Sequence, residues 1–517
     1  MKLSTHAEYE IIVKTSSGIR RIPAHDGQTL LEALRLAGLS VSAPCGGKGS
    51  CGKCLVRSNG EEVLACRTPA APGCTVELHE LTGGAIAGAS GSFLSVPETD
   101  ESVPAPGLPA SLGAAVDLGT TTVVVELLNL EDGSSLGTAS AWNAQAAFGA
   151  DVITRCQYCL ENPGGLEQLK QVIRRQIHGL IRRLGAEPDN LQTLFIAGNT
   201  VMQHLYAGIS PAGIAVAPFR PAVFFTGDEP TEPGIRYAPC VAGYIGGDIT
   251  AGLLASGLHH SRQTALFLDI GTNGEMALRL EDGFLGCAVA SGPAFEGAGI
   301  ACGMPGIAGA VSHVRWTGKK PEFDVIGDAP PQGLCGSGLI DLLAVLLEKG
   351  IVSGSGMLYG PDEAPDGYED WLGEDETGHA VFYLTGDHKV FLTAADVRKL
   401  QLAKAAVSAG IAVLLKEADR KAEDLDALFL AGGFGTYMDI RSAAAIGMVP
   451  ACLVERTVFL RNSSLAGARM ALTLPEADRE LNEIRRSFRY LELSGNVDFN
   501  REFPEQMFFY GEDVEEW

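Results

Sequence analysis

The sequence predicts a multi-domain protein that combines α+β and α/β architecture, and three observations carry that prediction. The chain has 517 residues, beyond the ~250–300 at which a single hydrophobic core stops growing, so roughly three units are expected. Cys45, Cys51, Cys54, Cys66 and Cys74, out of twelve cysteines, crowd into one N-terminal stretch. The remainder contains two pairs of internal repeats, the signature of a duplicated fold. Glycine, at 64 residues, is well above the usual ~7% and points to tight turns and backbone-lined sites. The 39 basic and 63 acidic residues give a net charge of −24, a field that repels phosphate backbones and anionic lipid. Neither nucleic acid nor a membrane is therefore expected as a partner. The start MKLSTHAEYEIIVK lacks an apolar core of signal-peptide length, and no later window reaches ~18 uninterrupted apolar residues. A cytoplasmic protein is expected, with cysteines serving as metal ligands or buried thiols rather than disulfides.

Taken in chain order, EYEIIVK (8–14) and IRRIP (19–23) read as two strands around a Ser-Ser-Gly turn, followed by an amphipathic helix in QTLLEALRLAG (28–38). The cysteine cluster comes next and closes with the apolar segment CTVELHEL, so residues 1–82 form the first domain. Residues 83–112 are rich in Gly, Ser and Pro without periodicity, the composition of a flexible linker. Beyond it, AAVDLGTTTVVVELLNLEDG (114–133) repeats as LFLDIGTNGEMALRLEDG (266–283): an apolar strand, Asp-x-Gly-Thr, a second strand and a Glu-Asp-Gly turn. DNLQTLFIAGNT (189–200) repeats as EDLDALFLAGGF (423–434). Residues 113–517 thus divide into two related α/β halves, about 113–262 and 263–517.

The spacing Cys45-x5-Cys51-x2-Cys54-x11-Cys66 places three thiols on one Gly-rich loop and a fourth beyond a hairpin. Four thiolates are the complement for a 2Fe-2S cluster. Gly46, Gly47, Gly49 and Gly52 let the backbone fold closely around the metal and aim amides at its sulfides. A four-cysteine zinc site competes, although structural zinc usually presents paired knuckles and only one pair is tight here. Cys74 is the alternative fourth ligand.

In both hairpin repeats an Asp near a strand end precedes Gly and Thr: Asp117, Gly119, Thr120, Thr121 and Thr122 in one, and Asp269, Gly271, Thr272, Asn273 and Gly274 in the other. Glycine lets phosphate oxygens approach the backbone, threonine hydroxyls and amides donate to them, and aspartate can hold a hydrated Mg2+ or orient water. Two such hairpins could clamp one triphosphate from both sides.

The N-terminal order of strand, strand, helix, cluster loop and strand resembles the β-grasp ferredoxin domain. The duplicated hairpins resemble the acetate and sugar kinase, heat-shock cognate and actin (ASKHA) superfamily, whose halves close over ATP. That resemblance makes 115–128 and 266–278 the phosphate segments, with Asp117 and Asp269 as catalytic residues. It makes LFLAGGFGTYMD (428–439) the adenosine segment, contacting nucleotide through Gly432, Gly433 and Phe434, and LFIAGNTVMQHLY (194–206) and GLCGSGLIDLLAVLLEKG (333–350) the connecting helices. A ferredoxin domain, a linker and an ASKHA domain in one chain resemble the reductive activators of corrinoid-dependent enzymes. NAQAAFGADVITR (143–155), VAGYIGGDITAGLLASG (241–257) and ASGPAFEGAGIACGMPGIAGAV (290–311) are further strings of that kind.

The resemblance implies an ATP-dependent enzyme that passes one electron from its 2Fe-2S cluster to the Co(II) corrinoid of a cobalamin-type protein, regenerating Co(I) in an anaerobic methyltransferase system. A low-potential donor would supply the electron, and a homodimer is left open. No separate middle domain is expected between the linker and the first phosphate segment. Ser291 through Gly299 is the candidate partner-facing loop. Cys156 and Cys159 are expected on a helix without a metal role, and His204, His259 and His260 as exposed or capping residues without the partners of a metal site. Three other readings remain: a small-molecule kinase with a fused redox sensor, an activator of a radical dehydratase, and a nucleotide-gated chaperone.

Overall fold

The computed structural model describes residues 8–15, 18–37, 39, 41, 54–78, 108–227, 229, 232–318, 320–327, 329–433, 435 and 437–509. Cys45, Cys51, Phe434 and residues 83–107 of the predicted linker lie outside the described residues. Internal contacts divide the described chain into two units. One comprises 8–78, 108–224, 229 and 232–236, the other 225–227 and 237–509.

The N-terminal strands are β1 (Glu8–Thr15), β2 (Gly18–His25), β3 (Leu55–Ser58), β4 (Glu61–Leu64) and β5 (Thr75–Glu77), with helix α1 (Leu30–Leu36) after β2. They form one mixed sheet in the order β2-β1-β5-β3-β4, with β1 antiparallel to β2 and parallel to β5. Alternation places Ile11, Val13 and Ile22 on the buried face, where they pack with Leu30, Leu34, Val56 and Val76. Thr29 and Glu32 cap α1 reciprocally: the Thr29 amide donates to Glu32 Oε2 (2.7 Å), and the Glu32 amide donates to Thr29 Oγ1 (3.3 Å).

The rest of the first unit contains β6 (Leu112–Leu118), β7 (Thr122–Asn129), β8 (Ser135–Trp142), α2 (Val152–Glu161), α3 (Gly165–Arg183), β9 (Thr193–Gly198) and α4 (Thr200–Ala207). The short β10 (Ile235–Tyr237) ends it, and α5 (Gly247–Ser256) opens the second unit. The sheet order is β10-β9-β6-β7-β8, with β6 antiparallel to β7 and parallel to β9.

The second unit continues through β11 (Ala265–Ile270), β12 (Gly274–Leu280) and β13 (Gly283–Val289). Two small sheets follow: β14 (Ala310–Thr317), β15 (Lys320–Val325) and β16 (Gly333–Leu334), then, after α6 (Gly336–Glu348), β17 (Leu372–Glu374), β18 (Ala380–Tyr383) and β19 (Phe391–Thr393). The chain ends with α7 (Ala394–Glu417), β20 (Ala427–Ala431), α8 (Ile440–Ala445), β21 (Thr457–Arg461), α9 (Ser463–Thr473), α10 (Ala477–Arg486), β22 (Phe488–Tyr490) and α11 (Val497–Glu505). Its main sheet runs β21-β20-β11-β12-β13-β22. Apart from β22, this repeats the strand order of the first unit, so the duplication seen in the sequence recurs as topology. No described helix is long and apolar enough to cross a membrane.

The helices expected to connect the halves pack elsewhere. Residues 194–206 form β9 and most of α4, which lies on α3, while 333–350 form β16 and α6, which lies on β14 and α8. Among the described residues the helix pair with the most extensive contact is α5 and α9, each the first helix after the final strand of its five-stranded repeat. They meet through small residues. A Cβ on Gly467 would stand 2.0 Å from the Ala251 carbonyl oxygen, and one on Gly252 would stand 2.9 Å from Ser463 Oγ. Neither surface is an apolar stripe, which is why the 3.6-residue period did not reveal them.

Candidate functional site

Each Asp-x-Gly-Thr hairpin is held by its sheet in the same register. Asp117 on β6 pairs across to Ala197 on β9, and Asp269 on β11 pairs across to Ala431 on β20. In both cases the next residue along the neighbouring strand is a glycine pressed against the Asp-bearing strand. A Cβ on Gly198 would fall 2.6 Å from the Leu118 carbonyl oxygen, and one on Gly432, at φ +87°, would fall 2.4 Å from Asp269 Oδ1. The repeated Ala-Gly therefore fixes the distance between the candidate phosphate turn and the segment beside it. A Cβ on Gly433 would meet nothing within 4 Å among the described residues, leaving its backbone open to a ligand on that side.

In the first unit the turn at 119–122 is braced through its carbonyls. Asn143 Nδ2 donates to the Gly119 oxygen (2.8 Å), Arg155 Nη2 to the Thr120 oxygen (2.7 Å), and Asn199 Nδ2 to Thr120 Oγ1 (2.8 Å). Asn199 also caps α4 through Oδ1, which accepts from the Met202 amide. Arg155 is fully buried, and burial pulls its guanidinium down to about 10, so it remains charged at neutral pH. Its Nε donates to the Gly149 oxygen at 3.0 Å. The string 143–155 thus supplies two braces of the turn, Asn143 and Arg155. Side chains that act on backbone carbonyls leave no spacing motif.

The second turn is braced by the segment proposed to face a partner. Ser291 is buried, and its hydroxyl donates to the Gly271 and Thr272 oxygens at 3.1 and 3.2 Å. The expectation of Ser291 as a partner-facing residue is therefore corrected: it points inward and ties 291–299 to the candidate phosphate turn. Glu296 completes the tie, accepting from Thr272 Oγ1 at 2.9 Å. Behind the turn, Glu275 is buried. Burial first, then the charges of Asp248 and Asp269, push its carboxyl well above the usual range, against a smaller opposing hydrogen bond from Asn273. This cluster keeps a proton at pH values where a surface glutamate has lost it. Asp248, at the start of α5, and Glu275 were missed in sequence because they lie far from Asp269 or one strand-step beyond the motif.

In the N-terminal domain the Cys54 and Cys66 sulfurs lie 3.2 Å apart without a disulfide, and the Cys66 amide donates toward Cys54 Sγ at 3.5 Å. Two thiolates at ~2.3 Å from one tetrahedral metal would stand roughly 3.8 Å apart, so a small opening of this pair suits one metal, with an amide already aimed at the sulfur. Cys74 is instead buried in the domain core ahead of β5, its carbonyl accepting from the Ile12 amide at 2.9 Å. The donor set thus fits an iron–sulfur group at the Cys54 and Cys66 end. Cys156 and Cys159 lie on α2 as expected, with burial pushing their thiols up to about 12 and about 11.

Three family models match in tandem. A 2Fe-2S iron-sulfur cluster binding domain matches 15–71, the RACo middle region matches 112–261, and the C-terminal domain of RACo, the ASKHA domain, matches 263–517. The corrinoid activation enzyme RamQ of Eubacterium limosum is 33% identical over 409 residues, covering 75% of this chain and 68% of that protein. The chain belongs to the RACo family of reductive activators. A solved structure described as a reductive activator for corrinoid,iron-sulfur protein matches with a TM-score of 0.69 at 33% identity, covering 97% of this chain and 98% of the other. A reductase of the Co(II) methylated amine-specific corrinoid protein from Methanosarcina barkeri is 24% identical over 397 residues, 69% of each chain. Within the RACo arrangement, the middle-region match begins at the first residue of β6. The first Asp-x-Gly-Thr hairpin therefore lies inside that region rather than after it.

Proposed function

We propose that the chain is an ATP-dependent reductive activator that delivers one electron to the Co(II) corrinoid of a methyltransferase-system corrinoid protein, regenerating Co(I). The observation that carries the reading is the joining, in one chain, of a cysteine-loop domain whose Cys54 and Cys66 sulfurs converge with two Asp-x-Gly-Thr hairpins built in the same register. Cys45, Cys51, Cys54 and Cys66 would hold the 2Fe-2S cluster, which supplies a one-electron couple near ~ −400 mV when bound.

The nucleotide residues have a separate task. Amides of 119–122 and 272–274 and the hydroxyls of Thr120, Thr121 and Thr122 are suited to donate to phosphate oxygens, and the Thr272 hydroxyl becomes a donor to phosphate on leaving Glu296. Asp117 and Asp269 are suited to orient water or a hydrated cation, and the backbone at Gly432 and Gly433 to take the adenosine. If the cobalt substrate couple lies below that of the donor, each ~59 mV of deficit is a tenfold disadvantage for one electron. Nucleotide can offset it only through differential affinity: the state in which the electron passes must hold the Co(I) partner about tenfold tighter than the Co(II) partner for every ~59 mV, with hydrolysis then releasing it. The Ser291 and Glu296 ties give the 291–299 segment a direct connection to the Thr272 turn, a route by which phosphate occupancy can alter that surface.

The test separates the two tasks. Cys51→Ala should abolish cobalt reduction and leave ATP binding intact, whereas Asp269→Ala should retain full iron and impair nucleotide use. A Cys51 variant that reduces Co(II) at the wild-type rate would refute the electron route. Phosphorylation of an added sugar or acid by the cluster-free protein would favour the kinase reading.

A further inference from the structure

The turn after α5 and the helix α10 bring together a group that neither the cluster nor the nucleotide residues use. His259 and His260 lie on the one-turn segment Leu258–His260, and Glu480 lies on α10, which packs on α5. His259 Nε2 is 3.3 Å from Glu480 Oε2, and His260 Nε2 is 3.0 Å from Glu480 Oε1. One ligand atom from each residue fits within a 4.8 Å span. The His259 and Glu480 side chains are 9% exposed, while His260 is 66% exposed. The expectation that these histidines lack clustered partners is thereby corrected. The third member is about 220 residues away in sequence, and only the fold supplies it.

We propose that His259, His260 and Glu480 form a zinc site that clips the end of α5 to α10, with solvent completing the fourth position on the exposed His260 side. Zinc binds imidazole nitrogen at ~2.0–2.1 Å and carboxylate oxygen at ~2.0–2.2 Å in a tetrahedron, whose edges are then roughly 3.3–3.5 Å. The two nitrogen–oxygen separations, each to a different Glu480 oxygen, come within a few tenths of an ångström of those edges, while the set as a whole spans up to 4.8 Å, so a cation enters once the exposed His260 ring turns inward to close the wider gap. Two imidazoles and one carboxylate form a donor set for zinc, not for magnesium or calcium, which take oxygen ligands.

His259 Nδ1 is buried and lacks a well-formed hydrogen bond. With the ring proton on that nitrogen, the Nε2 lone pair faces a carboxylate oxygen, an arrangement a cation between them resolves. Arg479 Nη2, 3.8 Å from Glu480 Oε1 and largely exposed, is the competing cation, and its Nη1 is already held by Glu483 at 2.7 Å.

The experiment uses the full chain, handled anaerobically with its iron–sulfur cluster in place, dialysed against a mild chelator, loaded with Zn2+ and freed of excess. Metal analysis is expected to find one zinc per chain in the wild type and to fall toward none in His260→Ala and Glu480→Gln, with iron unchanged in all three. The exposed His260 side chain makes its truncation a mild change to the fold, and Zn2+ should raise the melting temperature of the wild type but not of His260→Ala. Co2+ in place of zinc should show ligand-field bands without thiolate charge transfer, which separates this site from any cysteine. Wild-type protein that retains no zinc, variants that retain as much as wild type, or a cobalt spectrum dominated by thiolate bands would each overturn the proposal and leave a hydrogen-bonded His–Glu–His group.

Discussion

The pair Gly432→Ala and Gly433→Ala tests the nucleotide assignment with two adjacent methyl groups. At Gly432 the backbone has φ +87°, and the new Cβ would sit 2.4 Å from Asp269 Oδ1 and 2.9 Å from the Ile270 carbonyl oxygen. Left-handed backbone costs a non-glycine residue ~1–2 kcal/mol, and overpacking against atoms that must move adds ~1–3 kcal/mol. Together these amount to about 2–5 kcal/mol, relieved by backbone rotation or by displacement of Asp269. Either route disturbs the site, and at ~1.4 kcal/mol per decade the smaller figure alone weakens ATP binding roughly 30-fold. Gly433 has neither problem, since its Cβ would meet nothing within 4 Å among the described residues. Its substitution should leave stability unchanged and weaken ATP only because the methyl occupies space the ligand needs. The assay is calorimetric titration with Mg-ATP on anaerobic protein, with the cluster absorbance and melting temperature of each variant recorded alongside. Unchanged ATP affinity in both variants would refute the placement of nucleotide against this segment.

Other expectations follow from the same geometry. Cys66→Ser should lower bound iron sharply after reconstitution, whereas Cys74→Ser should keep full iron; the reverse pattern would transfer the fourth ligand to Cys74. Gly467→Ala should lower the urea midpoint by the equivalent of ~1–3 kcal/mol despite a helix propensity that favours alanine by ~1 kcal/mol, because its Cβ would fall 2.0 Å from the Ala251 oxygen. A midpoint at or above wild type would contradict the α5–α9 contact. His204 is fully buried, with Nδ1 2.7 Å from the Thr200 oxygen, and burial pulls it down to about 4. The unfolded chain binds that proton near ~6.5, so this residue's contribution is complete above ~6.5 and falls as pH drops toward 4, by about 2 kcal/mol at pH 5. Unfolding at pH 7 and pH 5 should show that loss in the wild type and a smaller one in His204→Gln; equal losses would refute it.

Much of the architecture was legible in the sequence because it rests on short-range rules. Alternating apolar residues announced β1 and β2, and the repeated Asp-x-Gly-Thr and Ala-Gly strings marked strand ends where only glycine fits. The obscured features are those defined by partners distant in sequence or by backbone contacts. The α5–α9 pair packs through Ala251, Gly252, Ser463 and Gly467, residues with too little apolar surface to produce a moment. Arg155 and Ser291 work on carbonyl oxygens, contacts that leave no residue spacing by which a buried arginine or an inward serine can be recognised. His259 and His260 acquire Glu480 only once α10 returns to α5.

The most direct test of the central claim follows Co(I) absorbance after mixing reduced, cluster-loaded protein with a candidate Co(II) corrinoid protein, with and without Mg-ATP. The account predicts Co(I) formation that depends on nucleotide and disappears in Cys51→Ala. Co(I) appearing equally well without nucleotide, or from protein lacking the cluster, would contradict it.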